Sequence, residues 1–86
     1  MANIAGARIN TLCKYEKLSE LLGITFEEGV TYMIQNQQPV TYIVSETVPT
    51  SGGFYIKDCT PFAYTHGSDG DLWVKTVFYS FINVAQ

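Results

Sequence analysis

The sequence predicts a mainly β fold: a small antiparallel β-sandwich or barrel of six to seven short strands, with a short N-terminal helical turn or arm. Aromatic residues make up 14% of the chain and are interleaved with Val and Ile, which suit a pleated, half-buried surface. Beyond Gly23, apolar and polar side chains alternate with a period of two. Clusters of Gly, Pro, Asn and Asp interrupt this alternation at short intervals, as turns do in all-β domains. Eighty-six residues are enough for one domain, which we expect to span residues 1–86.

The beginning of the chain is the least patterned part. Residues 1–14 carry small and polar side chains with little periodicity. We therefore expect an N-terminal arm, loosely ordered alone or ordered by packing on a neighbour, ahead of a sandwich over residues 15–86. Leu18, Leu21 and Leu22 then fall at helical spacing, and Gly23 suits the left-handed residue just past a helix end. A short helix and a strand leading into a helical turn both fit, and the helical turn is the prediction.

Between residues 24 and 45 the alternation predicts three strands. Ile24–Phe26 is the first, and the turn after it ends at Gly29, which tolerates a positive φ. Strands over residues 30–35 and 40–45 follow, separated by Asn36-Gln37-Gln38-Pro39. Because a four-residue connection is common in hairpins, these two strands are predicted to pair with each other.

The second half of the chain contains the clearest loops. Residues 49–53 and 66–71 are rich in Gly and other turn-forming residues. They separate four predicted strands, at residues 54–57, 62–65, 72–76 and 81–85, and residues 58–61 end the first of these. Pro61 puts the second at a sheet edge, because proline cannot donate to a ladder. The last two strands are predicted to form a hairpin, although neither Gly nor Pro marks the turn between them.

The charge distribution disfavours several classes of function. Only 15% of the residues are charged, and the net charge is −3. The five basic residues are scattered, whereas nucleic-acid binding and polybasic membrane attachment both need basic clusters. No apolar run approaches the roughly 18 residues of a membrane span, and the N-terminus does not resemble a signal peptide. We therefore expect a protein made in the cytoplasm, with no direct nucleic-acid or membrane partner and with Cys13 and Cys59 as free thiols.

Residue types that carry catalysis or bind metals meet only in the loop 66–71. Asp69 and Asp71 are hard oxygen ligands, but the spacing of a calcium loop does not continue beyond them, so a tight turn is the prediction. His66 and Ser68 lack a third group to orient a catalytic base. The two cysteines and one histidine match no zinc motif. We expect no enzymatic activity, no catalytic residue, no metal and no cofactor.

Several segments, taken together, resemble a known family. The chain contains, in this order, Glu27-Glu28-Gly29-Val30-Thr31-Tyr32-Met33-Ile34-Gln35-Asn36, then Val44-Ser45-Glu46 with Pro49, then Leu72-Trp73-Val74-Lys75-Thr76 and Ile82-Asn83-Val84. This order resembles small bacteriophage virion proteins of the head-decoration and fibre-associated type, over residues 24–85. The resemblance implies a β-rich fold, self-association, commonly as trimers, and attachment to a capsid or tail. It implies no catalytic residue.

The sequence therefore predicts a phage virion structural accessory protein that forms a homotrimer or other homo-oligomer and binds other virion proteins. Low charge leaves sheet edges unguarded, which favours covering them with a neighbouring subunit. Six aromatic side chains are expected in the core or at contacts, without assignment to either: Tyr32, Tyr42, Trp73, Phe78, Tyr79 and Phe81. Two alternatives stay open. One is a carbohydrate- or small-ligand-binding module that uses an aromatic platform and the loop 66–71, and the other is a phage inhibitor of a host protein.

Overall fold

The computed structural model describes residues 2–57 and 59–86, which form eight strands and one short helix. Met1, the first residue of the predicted arm, and Asp58, which follows the predicted strand 54–57, lie outside the described residues. The elements are, in chain order, β1 (Asn3–Ile9), β2 (Glu16–Lys17), α1 (Leu18–Leu22), β3 (Thr31–Asn36), β4 (Val40–Ser45), β5 (Phe54–Ile56), β6 (Phe62–Thr65), β7 (Asp71–Lys75) and β8 (Ser80–Ala85).

The strands form two four-stranded antiparallel sheets, in the orders β1-β8-β3-β6 and β2-β7-β4-β5. The sheets enclose one apolar core, so the predicted mainly β fold, a small sandwich, is confirmed. Strand β6 lies at a sheet edge, as predicted from Pro61. The core consists of Ile9, Leu18, Phe26, Tyr32, Ile34, Val40, Tyr42, Tyr64, Leu72, Val74, Ile82 and Val84.

The chain passes repeatedly from one sheet to the other. Four of these passages, from β1 to β2, β3 to β4, β5 to β6 and β7 to β8, join strands that take the same place in the order of their sheets, whereas those from β2 to β3 and from β6 to β7 do not. We call these four connections the chain crossings; three of them are residues 10–15, 37–39 and 76–79. Neighbouring strands are antiparallel, and the crossings follow β1 and β3 but precede β6 and β8. All four therefore lie at one end of the sandwich, the crossing end.

Both predicted hairpins are wrong. Strand β3 pairs with β6 and β8, β4 pairs with β5 and β7, and β7 and β8 also belong to different sheets. The reason is visible in the crossing 37–39. The backbone N–H of Gln37 donates to the carbonyl of Phe81 at 2.9 Å, and that of Gln38 donates to the Ser80 hydroxyl at 3.2 Å. This connection is therefore bonded to the first two residues of β8 and does not close a turn on itself.

The expectation of a loosely ordered N-terminal arm is wrong for residues 3–9. Strand β1 pairs with β8 along its length, and two backbone hydrogen bonds of 2.9 Å between Ala2 and Gln86 extend the ladder. The strand was hard to recognise because Ala5 and Ala7, which lie opposite buried residues of β8, have small side chains. Small apolar residues leave the alternation weak even where the strand is fully paired.

The segment Ile24–Phe26 was predicted to be a strand and is not one. Side-chain contacts hold it in place instead of a ladder. The Phe26 ring packs edge-on against the rings of Tyr32 and Tyr64, with centroids 4.8 and 5.4 Å apart. The backbone N–H of Glu27 donates to the Tyr32 hydroxyl at 2.7 Å. The period of two over three residues therefore reflected the burial of Phe26 and not strand pairing.

The predicted helical turn is confirmed, and a short strand leads into it. Strand β2 pairs with β7 and continues directly into α1. Gly23 ends the helix in the left-handed region, at φ 68°, and the N–H of Ile24 donates to the Ser19 carbonyl at 3.0 Å. Helix α1 contacts β1, β2 and β7, and its Leu18 side chain is fully buried. The helix therefore covers the side of the sandwich next to β1 and β2.

Buried polar residues join neighbouring crossings. Among the described residues, the buried polar side chains are those of Thr11, Asn36, Thr76 and Ser80. The backbone N–H of Thr11 donates to the Thr76 hydroxyl at 2.9 Å, and that of Thr76 donates to the Thr11 hydroxyl at 2.8 Å. The Ser80 hydroxyl donates to the Gln38 carbonyl at 2.9 Å. The first crossing is thereby bonded to that between β7 and β8, and the first residue of β8 is bonded to the crossing 37–39.

Asn36 extends this set of bonds, which we call the crossing network, to β5. Its Nδ2 atom donates to the carbonyls of Gln38, Lys57 and Ile56 at 2.7, 3.2 and 3.3 Å. Its Oδ1 atom accepts from the Tyr42 hydroxyl at 3.3 Å. One buried amide therefore satisfies groups from β4, from β5 and from the crossing between β3 and β4, which a sandwich with crossings would otherwise leave unpaired.

Replacing Asn36 by Ala should lower the free energy of unfolding by about 2–3 kcal/mol, because buried carbonyls and the Tyr42 hydroxyl lose their partner. Urea unfolding followed by Trp fluorescence measures the change. The neighbouring Gln37, whose side chain is exposed, is the matched control, and Gln37→Ala should stay within about 0.5 kcal/mol of the parent. Equal effects of the two substitutions would contradict the role given to Asn36.

Candidate functional site

Exposed apolar side chains gather at the crossing end, on the outer face of the sheet β2-β7-β4-β5. They surround a groove of about 720 Å³. The strands contribute Thr41, Tyr55 and Lys75 to its floor, and the crossing between β7 and β8 contributes Val77, Phe78 and Tyr79 to its wall. Cys13, Gln38 and Pro39, from two other crossings, complete the lining together with Val40.

The floor of the groove follows from the register of three strands. Thr41 of β4 lies opposite Lys75 of β7 on one side and Tyr55 of β5 on the other. Tyr42 and Val74, the next residues along two of these strands, are buried. Because side chains alternate along a strand, Thr41, Lys75 and Tyr55 point outward. Tyr55 is 64% exposed and supplies the largest side chain of the floor.

The wall is held by the crossing network. The buried hydroxyl of Thr76 donates to the carbonyl of Phe78 at 2.8 Å, which fixes the backbone between them. The side chains that follow Thr76 project from the surface: Val77 is 67% exposed, Phe78 77% and Tyr79 44%. Three consecutive apolar residues thus stand at the surface on a backbone that is bonded to the interior.

Two cations stack on aromatic rings beside the groove. Lys75 Nζ lies 4.9 Å from the centroid of the Tyr15 ring, and Arg8 Cζ lies 4.0 Å from the centroid of the Tyr79 ring. The Tyr15 hydroxyl donates to the Gly52 carbonyl, and burial raises the pKa of this tyrosine. Among the described lining residues, Lys75 is the only charged one. The groove is therefore suited to apolar contacts and carries no charge cluster that would select an ionic ligand.

The six aromatic residues predicted for the core or for contacts divide into two groups. Tyr32, Tyr42 and Trp73 are buried. Phe78 and Tyr79 are exposed beside the groove, whereas Phe81, 38% exposed, lies on the other sheet opposite Arg8 of β1. The structure thus brings Phe78 and Tyr79 together and leaves the other four elsewhere. Tyr55 was missed because its three-residue strand gives too short an alternation to show which face is outward.

Trp73 is not available as a stacking platform. It lies on the outer face of β7 but is only 6% exposed, and its indole N–H donates to the Ser45 carbonyl at 2.8 Å. Lys17 lies over its ring, with Nζ 5.6 Å from the centroid. The same ammonium forms an ion pair of 3.3 Å with Asp71. The tryptophan therefore has a structural role in packing β2 and the end of β4 onto β7.

The loop 66–71 has the geometry of a turn whose two end residues are bonded within the fold. His66 Nδ1 lies 2.6 Å from the Tyr64 hydroxyl, and Asp71 pairs with Lys17. Gly70 has a φ of 123°, and a Cβ atom there would lie 2.3 Å from the backbone carbon of Ser45. Within residues 2–57 and 59–86, no group of three His, Cys, Asp or Glu side chains is placed to hold a metal ion. Cys13 and Cys59 are exposed free thiols.

Two buried tyrosines have perturbed acidities. Burial raises the pKa of Tyr64 to about 12, helped by the negative charge of Asp71 and by Tyr32. Burial also raises the pKa of Tyr42 well above its usual value of 10.0. Both hydroxyls point to partners inside the fold, the imidazole of His66 and the amide of Asn36. Both pKa shifts therefore follow from the burial of these tyrosines within the fold.

The chain has no match among protein-family models, curated proteins or solved structures. Among the described residues, no helix is both long and apolar enough to cross a membrane. Function must therefore be inferred from the groove and from the sequence.

Replacing Gly70 by Ala should destabilise the fold by more than about 3 kcal/mol, because the left-handed backbone and the approach to Ser45 both exclude a Cβ atom. Gly67 is the matched control in the same loop, since its φ is ordinary and a Cβ atom would meet nothing within 4 Å. Thermal unfolding measures both variants. A Gly67→Ala variant as unstable as Gly70→Ala would contradict this account.

The stability of the protein should fall as the pH rises above about 10. In the unfolded chain Tyr64 and Tyr42 ionise with a pKa of 10.0, while in the folded protein they stay neutral, Tyr64 up to about 12. Unfolding then releases protons, so the stabilisation present below pH 10 is lost as the pH rises through this window. Urea midpoints between pH 8 and 11 measure the slope. It should be shallower in Tyr64→Phe and Tyr42→Phe and unchanged in Tyr55→Phe, whose ring is exposed; equal slopes in all variants would refute the assignment.

Proposed function

We propose that the protein is a structural accessory protein of a bacteriophage virion, of the head-decoration or fibre- or tail-associated type. It self-associates, binds other virion proteins and catalyses no reaction. The observation that carries the binding role is the groove, whose floor exposes Tyr55 and whose wall exposes Val77, Phe78 and Tyr79. The assignment to a virion rests on the sequence resemblance over residues 24–85.

Aromatic side chains at the edge of a rigid pocket are favourable anchors for a protein partner. Tyr and Phe bring a large contact area with few rotatable bonds, and such residues at the centre of an interface contribute most of its binding energy. Phe78 is the most exposed of the four and is attached to a backbone fixed by Thr76. Little conformational entropy is then lost on binding, which favours a tight contact from a small area.

Charge supports a protein partner over an ionic one. With 15% charged residues, the chain has much neutral surface, and the groove is lined mainly by apolar groups. The cations nearest to it, Lys75 and Arg8, lie over the rings of Tyr15 and Tyr79. Interfaces of this kind have apolar centres and polar rims, and Gln38 supplies polar atoms at the border.

A small-ligand-binding module is the second candidate, and the size of the groove favours it. A volume of about 720 Å³ lies within the range of roughly 300–1,000 Å³ found for small-molecule sites. The platform would be Tyr55 and Phe78, because Trp73 is buried and the loop 66–71 is bonded within the fold. A ligand of this kind would raise the melting temperature of a monomeric protein, and a panel of mono- and oligosaccharides tests it directly.

The proposed function predicts that the chain is a constituent of phage particles. Particles of the phage that carries the gene, purified on a density gradient, should contain the chain in a fixed ratio to the major capsid or tail protein, as measured by quantitative mass spectrometry. In a phage encoding Phe78→Ala with Tyr55→Ala, the amount bound should fall at least about tenfold, because two anchors of the contact are lost.

Val48 provides the control for this experiment. It is 63% exposed and lies in the loop between β4 and β5, outside the groove lining. Val48→Ala should leave incorporation unchanged. A chain that is abundant in infected cells but missing from washed particles would overturn the proposal, and a monomer stabilised by a sugar would replace it with the second candidate.

A further inference from the structure

The geometry points to a second copy of this chain as the occupant of the groove, in a two-fold dimer in which Phe78 of each protomer enters the groove of the other. This inference rests on the proposed function, because it names the partner through which the protein self-associates. It also specifies the symmetry, which the sequence left open.

The projecting side chain and the recess belong to the same patch of surface. Phe78 stands 77% exposed on the wall of the groove, and Tyr55 and Thr41 form the floor beside it. In a two-fold interface the same patch is used by both subunits, so a projection must lie next to the recess that accepts its copy. A closed trimer joins two different patches instead. The adjacency of Phe78 and the groove therefore favours a dimer over the trimer that the resemblance implied.

The area available is sufficient for a specific contact. An aromatic side chain offers about 150–250 Å², so the exposed parts of Tyr55, Phe78 and Tyr79, together with Val77, amount to about 500 Å² on each copy. Pairing two copies would remove about 1,000 Å² from water, which reaches the lower limit for specific interfaces. The contact is small, so we expect a dissociation constant in the micromolar range. Buried area does not by itself determine affinity, and nothing among the described lining residues adds a stronger interaction.

The lining also matches itself in charge. A patch that carries a net charge of one sign meets the same net charge on its copy, so a low net charge favours two-fold pairing. Among the described lining residues only Lys75 is charged, and its ammonium leans on the Tyr15 ring. The sheet edges are less suitable for pairing copies: β2 has two residues, β5 has three and β6 follows Pro61, while β1 has a register shift between Asn3 and Ala5.

Two native cysteines test this arrangement. Cys13 lines the groove, whereas Cys59 is exposed outside its lining, and both are free thiols. In the dimer, alkylation of Cys13 by iodoacetamide should slow at least about tenfold on going from dilute to concentrated protein, while Cys59 reacts at one rate throughout. Sedimentation of the full chain should show its 9.6 kDa mass doubling over the same concentrations.

Phe78→Ala should raise the dissociation constant of the dimer at least about 30-fold, because truncating a central aromatic anchor has an effect of that size and each dimer contains it twice. It should also abolish the protection of Cys13. Val48→Ala should change neither measurement. At concentrations where the parent is monomeric, urea midpoints of the two variants should match the parent, because both side chains are exposed, which separates lost pairing from lost folding.

A mass that stays at 9.6 kDa up to high concentration would overturn the dimer, as would a trimer or a dimer that Phe78→Ala leaves intact. The virion assignment can survive any of these results, although a monomer would remove self-association from the proposed function. If a monomeric chain is nevertheless found in particles, and Phe78→Ala removes it from them, another virion protein occupies the groove. If the chain dimerises through Phe78 but is missing from particles, the dimer stands and the virion assignment falls.

Discussion

The sandwich depends on the hydrogen bonds that join its crossings. A chain that changes sheet after nearly every strand leaves backbone groups at the crossing end that neither ladder pairs, and the core next to them is apolar. Thr11 and Thr76 bond reciprocally, Ser80 bonds Gln38, and Asn36 reaches into β5. Every buried side-chain nitrogen and oxygen of the described residues has a partner. Four small polar residues therefore make an alternating topology compatible with a dry interior.

The same bonds create the candidate site. A crossing must leave the plane of its sheet, so the residues after Thr76 cannot point into the core, and their apolar side chains remain at the surface. In most loops such residues would be polar, because nothing compensates their exposure. Here Val77, Phe78 and Tyr79 lie on a backbone that is hydrogen-bonded to the crossing network through Thr76. The residues that stabilise the fold thus also present the anchors, and the two properties are linked through Thr76.

The sequence predicted where these strands lie better than which strands are partners. Alternation identified β3 and β4 as strands, and their burial follows the same period of two, with Tyr32 and Tyr42 inward. It does not distinguish a hairpin from two strands that face one core from opposite sheets, since both place the same residues inside. The deciding signal was Asn36, a polar residue at an inward position, which was interpreted as the start of a turn. Strand β1 was not predicted because its inward alanines carry little hydrophobic signal. The groove was not predicted because it combines residues from three strands and three crossings that are distant in sequence.

The structure gives the proposed self-association a different physical basis from the one that the sequence suggested. Low charge suggested unguarded sheet edges, but the edge strands are short, bulged or preceded by proline, which protects edges without charge. The low charge matters elsewhere. A groove lined by a single cation and by aromatic rings carries little net charge, so it repels neither its own copy nor a neutral partner. The self-association that we propose therefore depends on the crossing end and not on strand edges, because exposed aromatic residues, a hydrogen-bonded backbone and near-neutral charge occur together there.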